Sequence, residues 1–180
     1  MAATPSTMVS LGTSASAFTL NDVVSGKPIS IPQLGGEKAT VIMFICNHCP
    51  YVKHINQALV KLANDYQHRG VTFIAISSND ATKHPEDGPE KMKEVARDLQ
   101  YPFPYLYDET QQVARAYDAA CTPDFFVYDR DLKLAYRGQF DDSRPGNSIP
   151  VTGHDLRLAL NCLVSGKPVP EQQKASIGCN

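Results

Sequence analysis

Thr40-Val41-Ile42-Met43-Phe44-Ile45-Cys46-Asn47-His48-Cys49-Pro50 is the stretch on which the reading of the whole chain turns. Thr40 to Ile45 is an unbroken run of β-branched and apolar side chains, the pattern of a central strand covered on both faces. Val52, Ile55, Leu59, Leu62 and Tyr66 then recur at three- and four-residue steps and make one apolar stripe, which predicts a helix. Cys46 and Cys49 therefore fall between the end of a buried strand and the start of a helix. Free N–H groups and the positive end of the helix dipole favour a thiolate at that junction. The two-residue spacing lets the sulfurs meet around the first turn, and Pro50 costs little where backbone donors are unpaired anyway.

Outward from this junction, strand and helix patterns alternate to both ends. Ala17 to Leu20 and Pro28 to Ile31 flank Ser25-Gly26-Lys27 and read as a hairpin. Val71 to Ile76 is a second buried strand, Ser77 to Gly88 a polar loop, and Pro89 to Leu99 a helix. Phe103 to Tyr107 enters a short strand and Glu109 to Tyr117 a short helix. Phe125 to Tyr128 and Leu132 to Tyr136 form a hairpin about Asp129-Arg130-Asp131, and His154 to Val164 a closing helix. This order predicts an α/β domain with a mixed central sheet flanked by helices and an N-terminal β-hairpin. No linker or repeat interrupts it, so 1–180 is read as one domain, with residues 1–13 a flexible tail.

Composition narrows the function. Lys plus Arg is 17 and Asp plus Glu is 19, a formal net charge of -2, with no basic cluster for nucleic acid. Met1 to Ser16 is rich in Ala, Ser and Thr, without the basic and apolar regions of a secretory signal. No apolar run approaches the ~20 residues that span a bilayer. A cytoplasmic location and no membrane partner are expected. The 5 cysteines are Cys46, Cys49, Cys121, Cys162 and Cys179, an odd and scattered set that suits redox or metal chemistry better than stapling.

For redox work, Cys46, which starts the turn and should be the more exposed, is the nucleophile, and Cys49 is the resolving thiol. His48 can stabilise the thiolate by its charge, or is a solvated turn residue; Asn47 is the other residue that tunes the pair. A zinc site would draw on Cys46, His48, Cys49 and His54, but no second C-x-x-C or H-x-x-x-H exists to complete it, so no metal is expected. No nucleotide or flavin motif appears and no cofactor is expected. Reducing equivalents would come from another protein or a small thiol.

The chain resembles the thioredoxin superfamily. The resemblance rests on the strand running into C-x-x-C and a helix, and on Cys121-Thr122-Pro123-Asp124-Phe125-Phe126 far downstream. More narrowly it is similar to the redoxin (AhpC/TSA) branch and its peroxiredoxin-like members that carry C-x-x-C. Phe18 to Leu20, Cys46 to Lys53, Phe103 to Asp108, Cys121 to Asp129 and Tyr136 to Gly146 carry that similarity. The resemblance implies a thioredoxin-like three-layer sandwich and a cis Thr122–Pro123 bond facing the cysteine pair. It also implies a backbone beside Pro123 free to pair with an extended substrate. Such chains usually continue a few residues past Gly178-Cys179-Asn180.

The departures are specific. In P-x-x-x-T-x-x-C, the peroxidatic signature, the positions ahead of Cys46 are Ala39 and Met43, and those ahead of Cys49 are Ile42 and Cys46. Thr40 stands where thioredoxin has a buried acid. The leading expectation is a thiol–disulfide oxidoreductase acting on protein or small-molecule disulfides and recharged by a thioredoxin or glutathione system. A thiol-dependent peroxidase and a non-catalytic metal- or partner-binding module are the alternatives. Cys121 is a possible third redox thiol or a buried small residue. Cys162 reads as core, and Cys179 as part of a disordered end in preference to a flexible thiol that reaches the active site. Asp141 to Asn147 reads as a surface ion-paired turn, and Tyr101, Phe103, Tyr105 and Tyr107 as core.

Overall fold

The computed structural model describes residues 3–180. Strand β1 (Ala3–Pro5) is followed by the hairpin β2 (Phe18–Asn21) and β3 (Pro28–Ile31), then β4 (Ala39–Phe44), helix α1 (Pro50–Gln67) and β5 (Val71–Ser77). Next come a 3-10 turn (Pro85–Asp87), α2 (Pro89–Asp98), β6 (Tyr105–Tyr107) and α3 (Gln112–Tyr117). The chain closes with β7 (Asp124–Asp129), β8 (Leu134–Gly138), α4 (His154–Val164) and β9 (Ile177–Cys179).

The central sheet has the order β6-β5-β4-β7-β8. β4 pairs parallel with β5 and antiparallel with β7, so the sheet is mixed. Side chains alternate across it at the strand period. Val41 and Met43 of β4, Phe73 and Ala75 of β5, and Phe125 and Val127 of β7 pack under α1, α2 and α4. Ile42, Phe44, Ile74, Ile76, Phe126 and Tyr128 face the other way, onto the β2–β3 hairpin and α3. Every residue of β4 is buried, as its unbroken apolar run requires. This is the three-layer thioredoxin-like sandwich expected from the sequence.

Some boundaries moved. Leu132 has φ of 55° and belongs to the turn, so β8 starts two residues later than its apolar pattern suggests. Gln111 at φ 59° likewise delays α3 to Gln112. Within the stretch read as a flexible tail, Ala3–Pro5 pair antiparallel with Ile177–Cys179. Main-chain hydrogen bonds make that contact, and composition carries no signal of them. Asp141, read as part of a surface turn, is buried. Its carboxylate accepts the N–H groups of Ser143, Thr152 and Gly153 and fixes the approach to α4.

Arg137 on β8 has a fully buried side chain. It donates to Asp124 Oδ1 at 2.8 Å, to the Thr7 carbonyl at 2.9 Å and to the Asp118 carbonyl at 3.1 Å, and its guanidinium lies 3.6 Å from the centre of the Phe126 ring. Removing one partner of such a pair strands a buried charge. Asp124→Ala should therefore cost ~3–5 kcal/mol in urea unfolding. The double variant Asp124→Leu/Arg137→Met, which removes both charges, should recover part of that loss.

Candidate active site

β4 delivers Cys46 to the C-terminal end of the sheet, and α1 begins with Pro50 directly after Cys49. Both cysteines are buried, Cys46 at 1% exposure and Cys49 at 0%, so the first is not the open thiol its place in the turn suggested. The Thr122–Pro123 bond is cis, as the resemblance implied. Thr122 meets both cysteines. Its Oγ1 is 3.4 Å from Cys46 Sγ, and its carbonyl oxygen is 3.1 Å from Cys49 Sγ.

Under the turn lies a carboxylate that the sequence did not single out. Asp87, at the end of the 3-10 turn, is 0% exposed. Its Oδ1 accepts the backbone N–H groups of Asn47 at 2.7 Å and His48 at 3.1 Å. Its Oδ2 accepts Nδ2 of Asn79 at 2.8 Å and faces Nδ1 of His48 at 2.5 Å. The Asn47 side chain is held too, donating to the Glu86 carbonyl at 2.6 Å and accepting from the Tyr105 hydroxyl at 3.2 Å. In sequence Asp87 looks like one more acid ahead of a helix start, where acids are favoured in any protein. Only the fold turns it toward residues 40 positions earlier.

His48 is consequently locked rather than solvated. Its ring stacks on His84 with centroids 4.1 Å apart, and Nε2 is buried without a hydrogen-bond partner. The same Nδ1 that faces Asp87 is 3.8 Å from Cys46 Sγ. An imidazole cannot relay a proton from sulfur to carboxylate through one nitrogen, so a Cys–His–Asp relay is not formed. Asp87 also works against negative charge on Cys46.

The charge settles instead on Cys49. The hydrogen bond to Cys49, then burial, push the Cys46 thiol well above its ordinary range. The hydrogen bond from Cys46 brings Cys49 down to about 5 against the effect of burial, with Cys179, Thr122 and the Val52 amide of the first helical turn pulling the same way. The expectation was a thiolate held at Cys46 by His48; the directions of the two shifts favour Cys49. The Val52 amide favours charge on Cys49, whereas Asp87 opposes it on Cys46.

The other sulfur against Cys49 is that of Cys179. It was read as part of a disordered end, yet it is buried on β9 with its sulfur 2.7 Å from that of Cys49. Its N–H donates to the Thr122 carbonyl at 2.9 Å, and its carbonyl accepts the Thr122 N–H at 2.8 Å. The backbone beside Pro123, expected to be free for an extended substrate, is thus paired with the chain's own β9. Gly178 allows the approach, since a Cβ there would sit 2.0 Å from the Thr122 oxygen. Cys121, read as a possible third redox thiol or a buried small residue, is buried with its sulfur turned to the Pro123 carbonyl at 3.7 Å, and burial raises it to about 12. Cys162 is half-buried on α4.

Cys46, His48 and Asp87 offer a sulfur, a nitrogen and an oxygen within 4.8 Å of one another, a set that suits a borderline metal such as zinc. Asp87 has already committed both oxygens to protein donors, and binding a metal would break them. His54, the other suggested ligand, bonds Ser143 Oγ at 2.7 Å and does not join the cluster. No helix among the described residues is long and apolar enough to cross a membrane.

The AhpC/TSA family model matches residues 11–137. An uncharacterized conserved protein from Geobacillus kaustophilus is 61% identical with a TM-score of 0.98, over 99% of this chain and 95% of that one. A hypothetical protein from Sinorhizobium meliloti 1021 is 47% identical with a TM-score of 0.96, over 98% and 96%. Peroxidoxin BcpB from Mycobacterium tuberculosis, at 18% identity, a TM-score of 0.64 and coverage of 86% and 96%, shares the fold. No functionally curated protein matches. A strand–cysteine–helix junction facing a cis proline is what the redoxin resemblance implied, and with most of its length under one family model the chain belongs to the AhpC/TSA family.

Proposed function

We infer that the protein is a thiol–disulfide oxidoreductase that works through Cys46 and Cys49. The observation that carries this reading is the pair of buried cysteines at the junction of β4 and α1, both of whose sulfurs meet Thr122 of the cis Thr122–Pro123 bond. Cys46 lies between Thr122 Oγ1 and His48 and is the attacking sulfur; Cys49, enclosed by Cys46 and Cys179, first serves as its base.

The step runs as follows. Cys46 passes its proton to the Cys49 thiolate, whose S–H then has the Thr122 carbonyl as acceptor at 3.1 Å. The Cys46 sulfur attacks a disulfide RS–SR′, forming Cys46–SR and expelling R′S⁻, which collects the proton from Cys49. Cys49 then attacks the Cys46 sulfur, closing Cys46–Cys49 and releasing RS⁻. The substrate gains two electrons and the cysteine pair loses two. Because Thr122 is already paired with β9, small disulfides fit this site better than extended protein segments. A thioredoxin- or glutathione-type thiol returns the electrons. The odd, scattered set of cysteines in the sequence favours a reducing compartment such as the cytoplasm.

Family membership favours a second reading, in which a hydroperoxide oxidises Cys46 to a sulfenic acid that Cys49 condenses to the disulfide. Met43 stands where the peroxidatic signature has threonine and offers no hydroxyl to orient a peroxide, so this reading ranks below the first.

Two measurements test the ranking. Ultraviolet thiolate absorbance of the reduced protein should show one thiolate titrating with a midpoint near pH 5, charged above it and protonated below. In Cys49→Ser the first thiolate should appear only above ~8. In glutathione redox buffers the pair should form a reversible disulfide with a potential above the ~-270 mV of thioredoxin, since a stabilised thiolate favours the reduced form. Cys46→Ser should abolish that disulfide. Fast oxidation by peroxide that disappears in Cys46→Ser would reverse the ranking.

A further inference from the structure

A third sulfur stands beside the pair: that of Cys179, against Cys49. Cys49 and Cys179 are 2.7 Å apart, about 0.7 Å beyond a covalent S–S bond. The position of Cys179 is built, not incidental. β9 is paired with β1 on one side and with Thr122 on the other. Ser176 anchors it further, donating from Oγ to the Pro123 carbonyl at 2.6 Å, and the Ser6 N–H donates to the Ser176 carbonyl at 2.8 Å. Gly178 removes the side chain that would hold the strand off. Cys179 also lines a cavity of about 230 Å³, together with Thr122, Asn79 and Arg115, whereas Cys46 and Cys49 do not reach its wall.

We propose that Cys179 is a second resolving thiol, which takes over the disulfide from Cys46 and carries it to this cavity. The inference rests on the Cys46–Cys49 chemistry above and extends it by one exchange. The Cys179 sulfur attacks Cys49 in the Cys46–Cys49 disulfide. The Cys49–Cys179 bond forms, the Cys46–Cys49 bond breaks, and the Cys179 proton ends on the Cys46 sulfur or in water. Two sulfurs are oxidised before and after, so the step needs no further oxidant; the disulfide substrate has already supplied the oxidation.

The reduced state holds this step back and the oxidised state releases it. In the dithiol form, burial, the hydrogen bond to Cys49 and the Cys49 charge hold the Cys179 thiol up at about 12. Once Cys49 is bound to Cys46, its charge is gone and the restraint falls to burial. The Tyr51 amide at the start of α1 favours a Cys179 anion in either state. After the exchange Cys46 is again a thiol beside Thr122 and His48, and the oxidised bond lies at the cavity wall. A small thiol bearing an anionic group, which Arg115 would attract, can reduce it there.

The test is disulfide mapping of the full chain. Reduced protein is treated with limiting oxidised glutathione, quenched with N-ethylmaleimide at successive times and digested with trypsin. The Cys46–Cys49 bond lies inside the single peptide 39–53, whereas Cys49–Cys179 joins 39–53 to 175–180. The expected result is an early closed peptide giving way to the joined pair with maleimide on Cys46. Cys179→Ser should stop at the closed peptide, and Gly178→Ala, which pushes β9 off Thr122, should slow the conversion at least tenfold. Persistence of the closed peptide in the wild type, with Cys179 always alkylated, would overturn the proposal and leave the oxidoreductase standing. Absence of either linkage in every protein would overturn both.

Discussion

Burying a carboxylate is costly unless donors surround it, and Asp87 is buried completely. Two main-chain amides, a carboxamide and an imidazole converge on it. Those donors come from the cysteine turn and from the loop after β5, so the carboxylate holds together two segments that the sheet alone would leave as neighbouring loops. The conformation of Asn47 and His48 follows, and with it the separation of the two sulfurs. The orientation of His48 is a by-product of the same bond. A histidine between two cysteines suggests a cation serving the thiolate, but here it serves the carboxylate, and the thiolate is stabilised by other sulfurs and the helix start.

That exchange of partners explains why the two cysteines have opposite tendencies. Position in the turn would make Cys46 the anion. Burial costs both sulfurs, and what separates them is their surroundings: Asp87 opposes an anion on Cys46, while the Val52 amide in the first turn of α1 favours one on Cys49. On the proposed chemistry Cys49 serves as base beside Cys46, and no acid is needed at position 40. Thr40 is free to do something else there: its hydroxyl accepts the Gly36 N–H at 2.8 Å and pins the entry into β4.

Much of this was legible in the sequence. β4, α1, β5 and α4 advertise themselves by periodicity, and the cysteine pair by its place between two of them. The cis Thr122–Pro123 bond followed from resemblance. What stayed hidden has a common physical character. β1 and β9 are three residues each, too short to show a period, and are formed by main-chain pairing across nearly the whole chain. Asp87 owes its importance to a loop fold and not to its neighbours in sequence. Cys179, beside a glycine near the end of the sequence, has the local look of a frayed segment. Its role depends on a backbone contact with Thr122, 57 positions away, that no local pattern encodes.

The pairing of β1 with β9 has a wider meaning for how the site is enclosed. The last wall of the sulfur cluster is closed by β9, whose Gly178 and Cys179 are buried, with the more exposed β1 paired along its other edge. Cys49 and the Thr122 backbone are covered by the same short strand, so whatever uncovers one uncovers the other. Residues as remote in sequence as Thr4 and Ser6, which hold that strand, are thereby part of the site's enclosure.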